Sequence, residues 1–327
     1  MLTRKTIRFS FTCLLLFPAL WLHGWGFFAH QRINRLAVFC LPPEMMVLYK
    51  PHLEYITVHA TDPDKRRYMV PAEGPRHYID IDVYDRPPYQ NIPRSWEQAL
   101  AKYSNDSLQR NGILPWYLEK ELALLTRAFR DRDQYLILKV SAELGHYIAD
   151  GHVPLHACSN HNGQFTGQHG IHGLWESRIP ELLADASFDY WAGRARYLPN
   201  PRAFFWQVVT ESGLAADTVL REEKQLSLSA DAPARYAFEP RNGKLTRSYS
   251  SPYTTAYNTL LGGMVERRMR QAIHAVASCW YTAWVNAGQP SLSTLSHTTL
   301  TVQELLDFSN LQRQWLHGQL QGRSEEE

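Results

Sequence analysis

The chain is short of the features that would assign it quickly. It has 4 cysteines in 327 residues. Cys13 lies inside the N-terminal apolar run, so Cys40, Cys158 and Cys279 can form at most one intramolecular disulfide, which excludes a disulfide scaffold. Apolar runs long enough to cross a bilayer are also missing. MLTRKTIRFSFTCLLLFPALWLHG sets Arg4, Lys5 and Arg8 ahead of roughly 14 apolar residues, too few to span comfortably. Residues 1–24 therefore read as a secretory signal peptide, implying a periplasmic or extracellular protein. Cleavage after Gly24 leaves Trp25 first. Losing three cations and no acid takes the formal charge from +2 to −1. So little net charge excludes a general polyanion binder and makes any phosphate recognition local.

Strand patterning and nucleophile motifs are sparse too. HYIDIDVY (77–84) alternates, but one such segment makes no sheet, so it reads as an extended crossing. Asp80, Asp82 and Asp85 lack the glycine and distal glutamate of a calcium loop and read as a solvated acidic edge. No Gly-x-Ser-x-Gly elbow or catalytic Cys-His pattern offers a protein nucleophile.

What remains is helix. HQRINRLAVFC (30–40) puts Ile33, Leu36, Ala37 and Cys40 on one face. Ser95 and Gln98 form a capping box for a helix to about Leu108, broken at Asn111-Gly112. Pro115 starts another, with Leu118, Leu122, Leu125 and Phe129 at helical spacing. A third, over 133–150, is expected to bury Leu136, Val140, Leu144 and Tyr147. Further helices are expected over 172–187, 201–225 and 252–287, the last opening at Ser251-Pro252. Residues 225–250 read as a polar surface excursion and 289–301 as a linker. Residues 302–320 read as an amphipathic helix, followed by a disordered acidic tail. The expected fold class is all-α: one domain over 25–290 and an appendix over 291–327.

Histidine is concentrated. HYIADGHVPLH (146–156) holds three, and His146 and Asp150 sit four apart on one helix face. Gly151 and Pro154 end that helix and return His156 toward it. Sixteen residues on, HGLWE places His172 and Glu176 four apart again. Imidazole nitrogen and carboxylate oxygen are zinc donors, and three protein ligands leave a position open, so His156, His172 and Glu176 suit one metal site. His52, His59, His274, His297 and His317 read as ordinary structural or solvated histidines. His152 reads as helix-end, and His161 and His169 as loop residues near the cleft. Phe27, Phe28, Tyr68 and Trp175 read as core before substrate contacts.

The stretches HYIADGHVPLH and HGLWE, with WGFFAH (25–30) and DPDKRRY…PRHY (62–78), resemble the signature of zinc-dependent phospholipase C and the single-strand-specific nucleases. The resemblance covers residues 25–290 and keeps the family's motif order. It implies one all-helical fold with three zinc ions in a cleft. One zinc would be held by Asp62, His77, His146 and Asp150, with Asp62 preferred to Asp64 on spacing to His77. A second would be held by the α-amino and carbonyl groups of Trp25, by His30 and by Asp150 as a bridge. The third would take His156, His172 and Glu176. An α-amino group sheds its proton to a metal more readily than lysine does, so cleavage before Trp25 and the metal site support each other. Glu176 matches the phospholipases, where the nucleases generally show aspartate. The step from Trp25 to His30 matches the nucleases, whereas Ala149 departs from them, many carrying glycine there.

The implied activity is hydrolysis of a phosphodiester by metal-activated hydroxide attacking phosphorus, with Asp62 and Asp150 as the catalytic carboxylates. Glu176 and the acidic segment 80–85 favour a phospholipid over single-stranded nucleic acid as the substrate. Peripheral contact with a lipid surface is expected, and no stable protein partner. The alternative class is a zinc-binding protein without turnover.

Overall fold

A computed structural model describes residues 26–241 and 244–295. The leader, Trp25 and the helix expected over 302–320 lie outside the described residues. Six helices carry the core and the site: α1 (Phe27–Val38), α2 (Asp62–Arg67), α3 (Leu114–Asp131), α4 (Gln134–Gly151), α5 (Pro201–Leu228) and α6 (Met264–Asn286). Shorter helices join them, and the one sheet among the described residues is a two-stranded hairpin. The fold is all-α.

α4 is the axis. The Asp133 side chain accepts from Leu136 N and caps its start, satisfying one donor that the first turn leaves free. The sequence points to one buried face, yet residues 140–151 are buried on every side while Leu136 is only half-buried. The reason is packing: α1, α3 and α6 all lie against α4, so no face is left for solvent. Polar contacts fix the crossings. Trp280 Nε1 of α6 donates to Ser141 O at 2.9 Å, and Asn34 Nδ2 of α1 donates to Ala142 O at 2.9 Å. Gly145 makes the second crossing possible, because a Cβ there would lie 2.1 Å from Asn34 Oδ1.

Several elements differ from the expectation. The helix begun at Ser95 stops at Lys102, and Ser104 caps a new one, Asn105–Asn111. The last long helix divides into Ser251–Leu260 and α6 at Gly262-Gly263, both with positive φ. Residues 81–84 form a single helical turn, not an extended crossing. The polar excursion contains paired strands, Tyr236–Arg241 (β1) and Lys244–Tyr249 (β2), antiparallel with Tyr236 opposite Tyr249. Asn242-Gly243 between two six-residue runs is the sequence signal for that hairpin. Cys40, Cys158 and Cys279 are free thiols. Among the described residues no helix is long and apolar enough to cross a membrane.

Candidate metal centre

The crossing of α1 over α4 builds the first half of the site. His30 precedes Asn34 by one helical turn, so once Asn34 docks at Gly145, His30 must lie over the next turn of α4. Its ring stacks on His146 with centroids 3.8 Å apart. His146 Nδ1 lies 2.8 Å from Ala60 O. A carbonyl only accepts, so Nδ1 carries the hydrogen and the Nε2 lone pair turns inward. One turn on, Asp150 faces the same pit, with Oδ2 3.2 Å from His146 Nε2 and Oδ1 3.4 Å from His30 Nε2.

His77 reaches the pit from a loop pinned at both ends. Ile113 N donates to Pro75 O and Leu114 N to Tyr78 O, which docks the loop on the start of α3. Gly112 is required there: its φ is +84°, and a Cβ would lie 2.1 Å from Tyr78 O. His77 Nδ1 consequently lies 2.9 Å from Asp150 Oδ2 and 3.0 Å from His146 Nε2. Asp64 of α2 completes the group, its Oδ1 3.8 Å from His146 Nε2 and 3.9 Å from His77 Nδ1.

The other half forms where the chain leaves α4. His156 Nδ1 donates to His77 O at 2.7 Å, so its Nε2 also turns inward, 3.3 Å from Glu176 Oε2. His172 Nε2 lies 3.0 Å from the same oxygen. Glu176 sits in a π-helical turn, Leu174–Arg178. Pro180, two residues beyond, has no N–H to give the regular ladder, which is a physical cause for the wider turn. Gly26 N donates to Glu176 O at 3.3 Å, so the chain enters α1 beside this group.

Three sets of side chains can each hold a metal ion: His30 with Asp64 and His146; His77 with His146 and Asp150; and His156 with His172 and Glu176. All are buried, and their polar atoms are poorly served by the protein. Both ring nitrogens of His30 and of His172, His77 Nε2, Asp64 Oδ2, Asp150 Oδ1 and Glu176 Oε1 have no hydrogen-bond partner. His172 Nε2 approaches Glu176 without hydrogen-bond alignment. Each such atom costs about 1–3 kcal/mol if left without a partner, so converging donors of this kind fit a cation.

Electrostatics point the same way. Burial pushes the His30 and His77 imidazoles below their ordinary value, keeping their lone pairs available. Burial alone would raise Asp150, but His146 and His156 outweigh it and hold its carboxyl well below the usual range. Asp64 is lowered too, burial being outweighed by His146 and His30. His156 is pushed up to about 9, because Asp150 and Glu176 overcome its burial. A cation bound among those carboxylates competes with that proton.

Asp62 is not placed with this group. Its Oδ2 lies 2.5 Å from His59 Nδ1 and its Oδ1 takes Lys65 Nζ at 3.0 Å, whereas Asp64 faces the histidines. Sequence spacing favours Asp62. Helical geometry turns residues two apart to different sides, and the docking of α2 decides which side faces the pit. Trp25 lies outside the described residues. The acidic edge is also put to structural use: Asp82 accepts from Ser159 N and Oγ, and Asp85 from Asn91 N.

No protein-family model and no curated protein matches the chain. Among solved structures, the alpha toxin from Clostridium absonum is similar at 12% identity with a TM-score of 0.44. That likeness covers 80% of this chain, which spans 64% of the toxin chain's length.

Two residues escape the sequence reading. Glu73 is fully buried behind His77, with Oε1 3.8 Å from His77 Nε2, and is held by Arg66, Arg76 and the Tyr147 hydroxyl. The Glu73–His77 spacing of four repeats that of His146–Asp150 and was the available signal. His59, which reads as structural, stacks on Tyr55 and is joined to Asp62 and Lys65 at three-residue steps, a helical spacing. His52, His152 and His274 bond backbone carbonyls and need no site role. His161 packs edge-on to His172 at 6.3 Å.

Proposed function

We propose that these groups hold zinc ions, three in all, and that the protein is a secreted hydrolase of phosphodiester bonds with a phospholipid as its first substrate. The observation that carries the reading is the convergence of unpartnered buried nitrogens and carboxylate oxygens on one pit. Metal ligands in this reading are His30, Asp64, His77, His146, Asp150, His156, His172 and Glu176, joined by the terminal amine of Trp25 after cleavage. When bound, the ions supply electrophilic charge to a phosphate and acidify water.

The chain's own residues prepare that chemistry. Ala60 O and His77 O fix the tautomers of His146 and His156, which costs nothing at the moment of reaction. Asp150, central to the pit, keeps its carboxylate ionised and within reach of both groups. Asp62 acts through Lys65 in this reading. It holds that ammonium beside the pit, 5.8 Å from the Phe27 ring, where it can offset charge on a phosphate.

The test uses protein beginning at Trp25, assayed for hydrolysis of phosphatidylcholine and of single-stranded DNA, with and without a chelator. Chelator-sensitive cleavage of the lipid alone supports the reading. Cleavage of DNA alone moves the substrate to nucleic acid. If the metal-loaded protein cuts neither, hydrolysis of these substrates is ruled out and a zinc-binding role without turnover takes its place.

A further inference from the structure

The hairpin β1–β2 is inside out. In a half-buried sheet the apolar face turns to the protein and the polar face to water. Here Tyr236, Phe238 and Pro240 share a face with their partners Tyr249, Arg247 and Leu245. On that face Tyr249, at the base, is buried, whereas toward the turn Phe238 is 68% exposed and Leu245 71% exposed. The opposite face, with Ala237, Glu239, Thr246 and Ser248, is the half-buried one. Apolar side chains held in water by a paired strand mark a surface that meets something else.

Its charge and its attachment say what. Residues 235–247 carry Arg235, Arg241, Lys244 and Arg247 against one acid, Glu239. Arg178 pairs with that acid at 2.5 Å and Arg235 pairs with Glu223 at 2.8 Å, which leaves the turn end of the hairpin the basic part of its sequence. Arg247 lies over the Tyr236 ring at 4.5 Å, a cation and a phenol at the margin of the apolar patch. The base of the hairpin is bonded to the metal centre's own segment: Arg178 Nε donates to Tyr249 O at 3.0 Å, and the Tyr249 hydroxyl to His169 O at 3.3 Å. Arg178 is two residues past Glu176, and His169 three before His172. The same loop exposes Phe165 at 72%.

We propose that this hairpin docks on an anionic phospholipid bilayer and presents the candidate metal centre to the lipid surface. The proposal rests on the phosphodiesterase reading and narrows its substrate to lipid packed in a bilayer. Phe238 and Leu245 would enter the acyl boundary, Tyr236 would sit at headgroup depth, and Arg247 beside it would face acidic headgroups. A nucleic-acid strand is the weaker occupant: Phe238 and Tyr236 could stack a base, but the aliphatic Leu245 and Pro240 between them and the turn have no π-face and gain only from an apolar partner. A second copy is weaker still, because it would set one basic hairpin against another.

The full protein is sedimented with phosphatidylglycerol vesicles, with phosphatidylcholine vesicles and, separately, tested for binding to a single-stranded oligonucleotide. The double variant Phe238→Ser, Leu245→Ser is run alongside, with circular dichroism and metal content as controls on folding. Expected is co-sedimentation with phosphatidylglycerol, weaker with phosphatidylcholine and weakened by salt. The double variant should lose about tenfold or more in affinity, from the apolar burial removed. Equal binding by the variant, or no binding by the original protein, overturns the proposal. So does variant-sensitive binding to the oligonucleotide in place of vesicles, or a dimer that the variant dissociates. Hydrolysis of a soluble short-chain phosphodiester is measured separately. Vesicle binding without it sinks the catalytic reading and leaves the docking surface standing.

Discussion

At the scale of single residues, two aspartates two positions apart have opposite surroundings. Asp64 faces His30, His77 and His146, while both oxygens of Asp62 are taken by His59 and Lys65. Asp64→Asn should therefore lower bound metal, and Asp62→Asn should leave metal content near that of the parent while reducing turnover. Elemental analysis of the two variants checks this, and the reverse pattern would restore Asp62 as the ligand. Asp150→Asn should lose more than one equivalent, because its two oxygens face different histidines. Glu73 offers a test by pH. Burial alone would raise its carboxyl, but Arg66 and His77 outweigh burial and hold it at about 2 against an ordinary 4.5. A depressed carboxyl stabilises fully above its unfolded value and loses that contribution as pH falls toward the folded one. Urea unfolding should show a loss of about 3 kcal/mol between those values, on a slope of about 1.4 kcal/mol per pH unit. In Glu73→Gln the same stretch should be flatter; an unchanged slope there would remove Glu73 as its source.

At the scale of elements, the α1–α4 crossing is the joint on which the site depends. Gly145→Ala gains up to about 1 kcal/mol of helix propensity, yet it drives a methyl into Asn34, a buried side chain bonded to Ala142 O and Ile56 O. The net expectation is destabilisation of about 1–3 kcal/mol, with reduced metal affinity because His30 is carried away from His146. A variant as stable as the parent would show that α1 can shift without cost. The π-turn at Glu176 is a second such joint, since His172 and Glu176 meet across it.

At the scale of the whole molecule, the three groups tie together α1, α2, α4, the 75–80 loop and the 171–187 segment. A cation that binds only this arrangement stabilises all of it by mass action, about 2.7 kcal/mol for one site at a hundredfold excess over Kd. Chelation should therefore lower the melting temperature by about 5–10 °C. An unchanged melting curve would mean that the pit holds no ion in solution.

Much of this was open to reading along the chain. Helical periodicity marked α1, α3 and α4, where apolar residues recur at helical spacing, although α4 proves buried on every side over 140–151. The i,i+4 pairs His146–Asp150 and His172–Glu176 were visible because a helix brings such residues onto one face without help from the rest of the fold. The break at Ser104 and the hairpin around Asn242-Gly243 do carry local signals, a cap and a turn, but longer patterns compete with such short ones. What sequence by itself determined, then, was helix, the donor types and their local pairing. Tertiary structure alone decided which aspartate faces the histidines, that His30 lies on His146, and that Glu73 stands behind His77. Those contacts join residues distant along the chain, and their geometry is set by how α1 crosses α4 at Gly145 and how the 75–80 loop docks at Gly112, which no local spacing encodes.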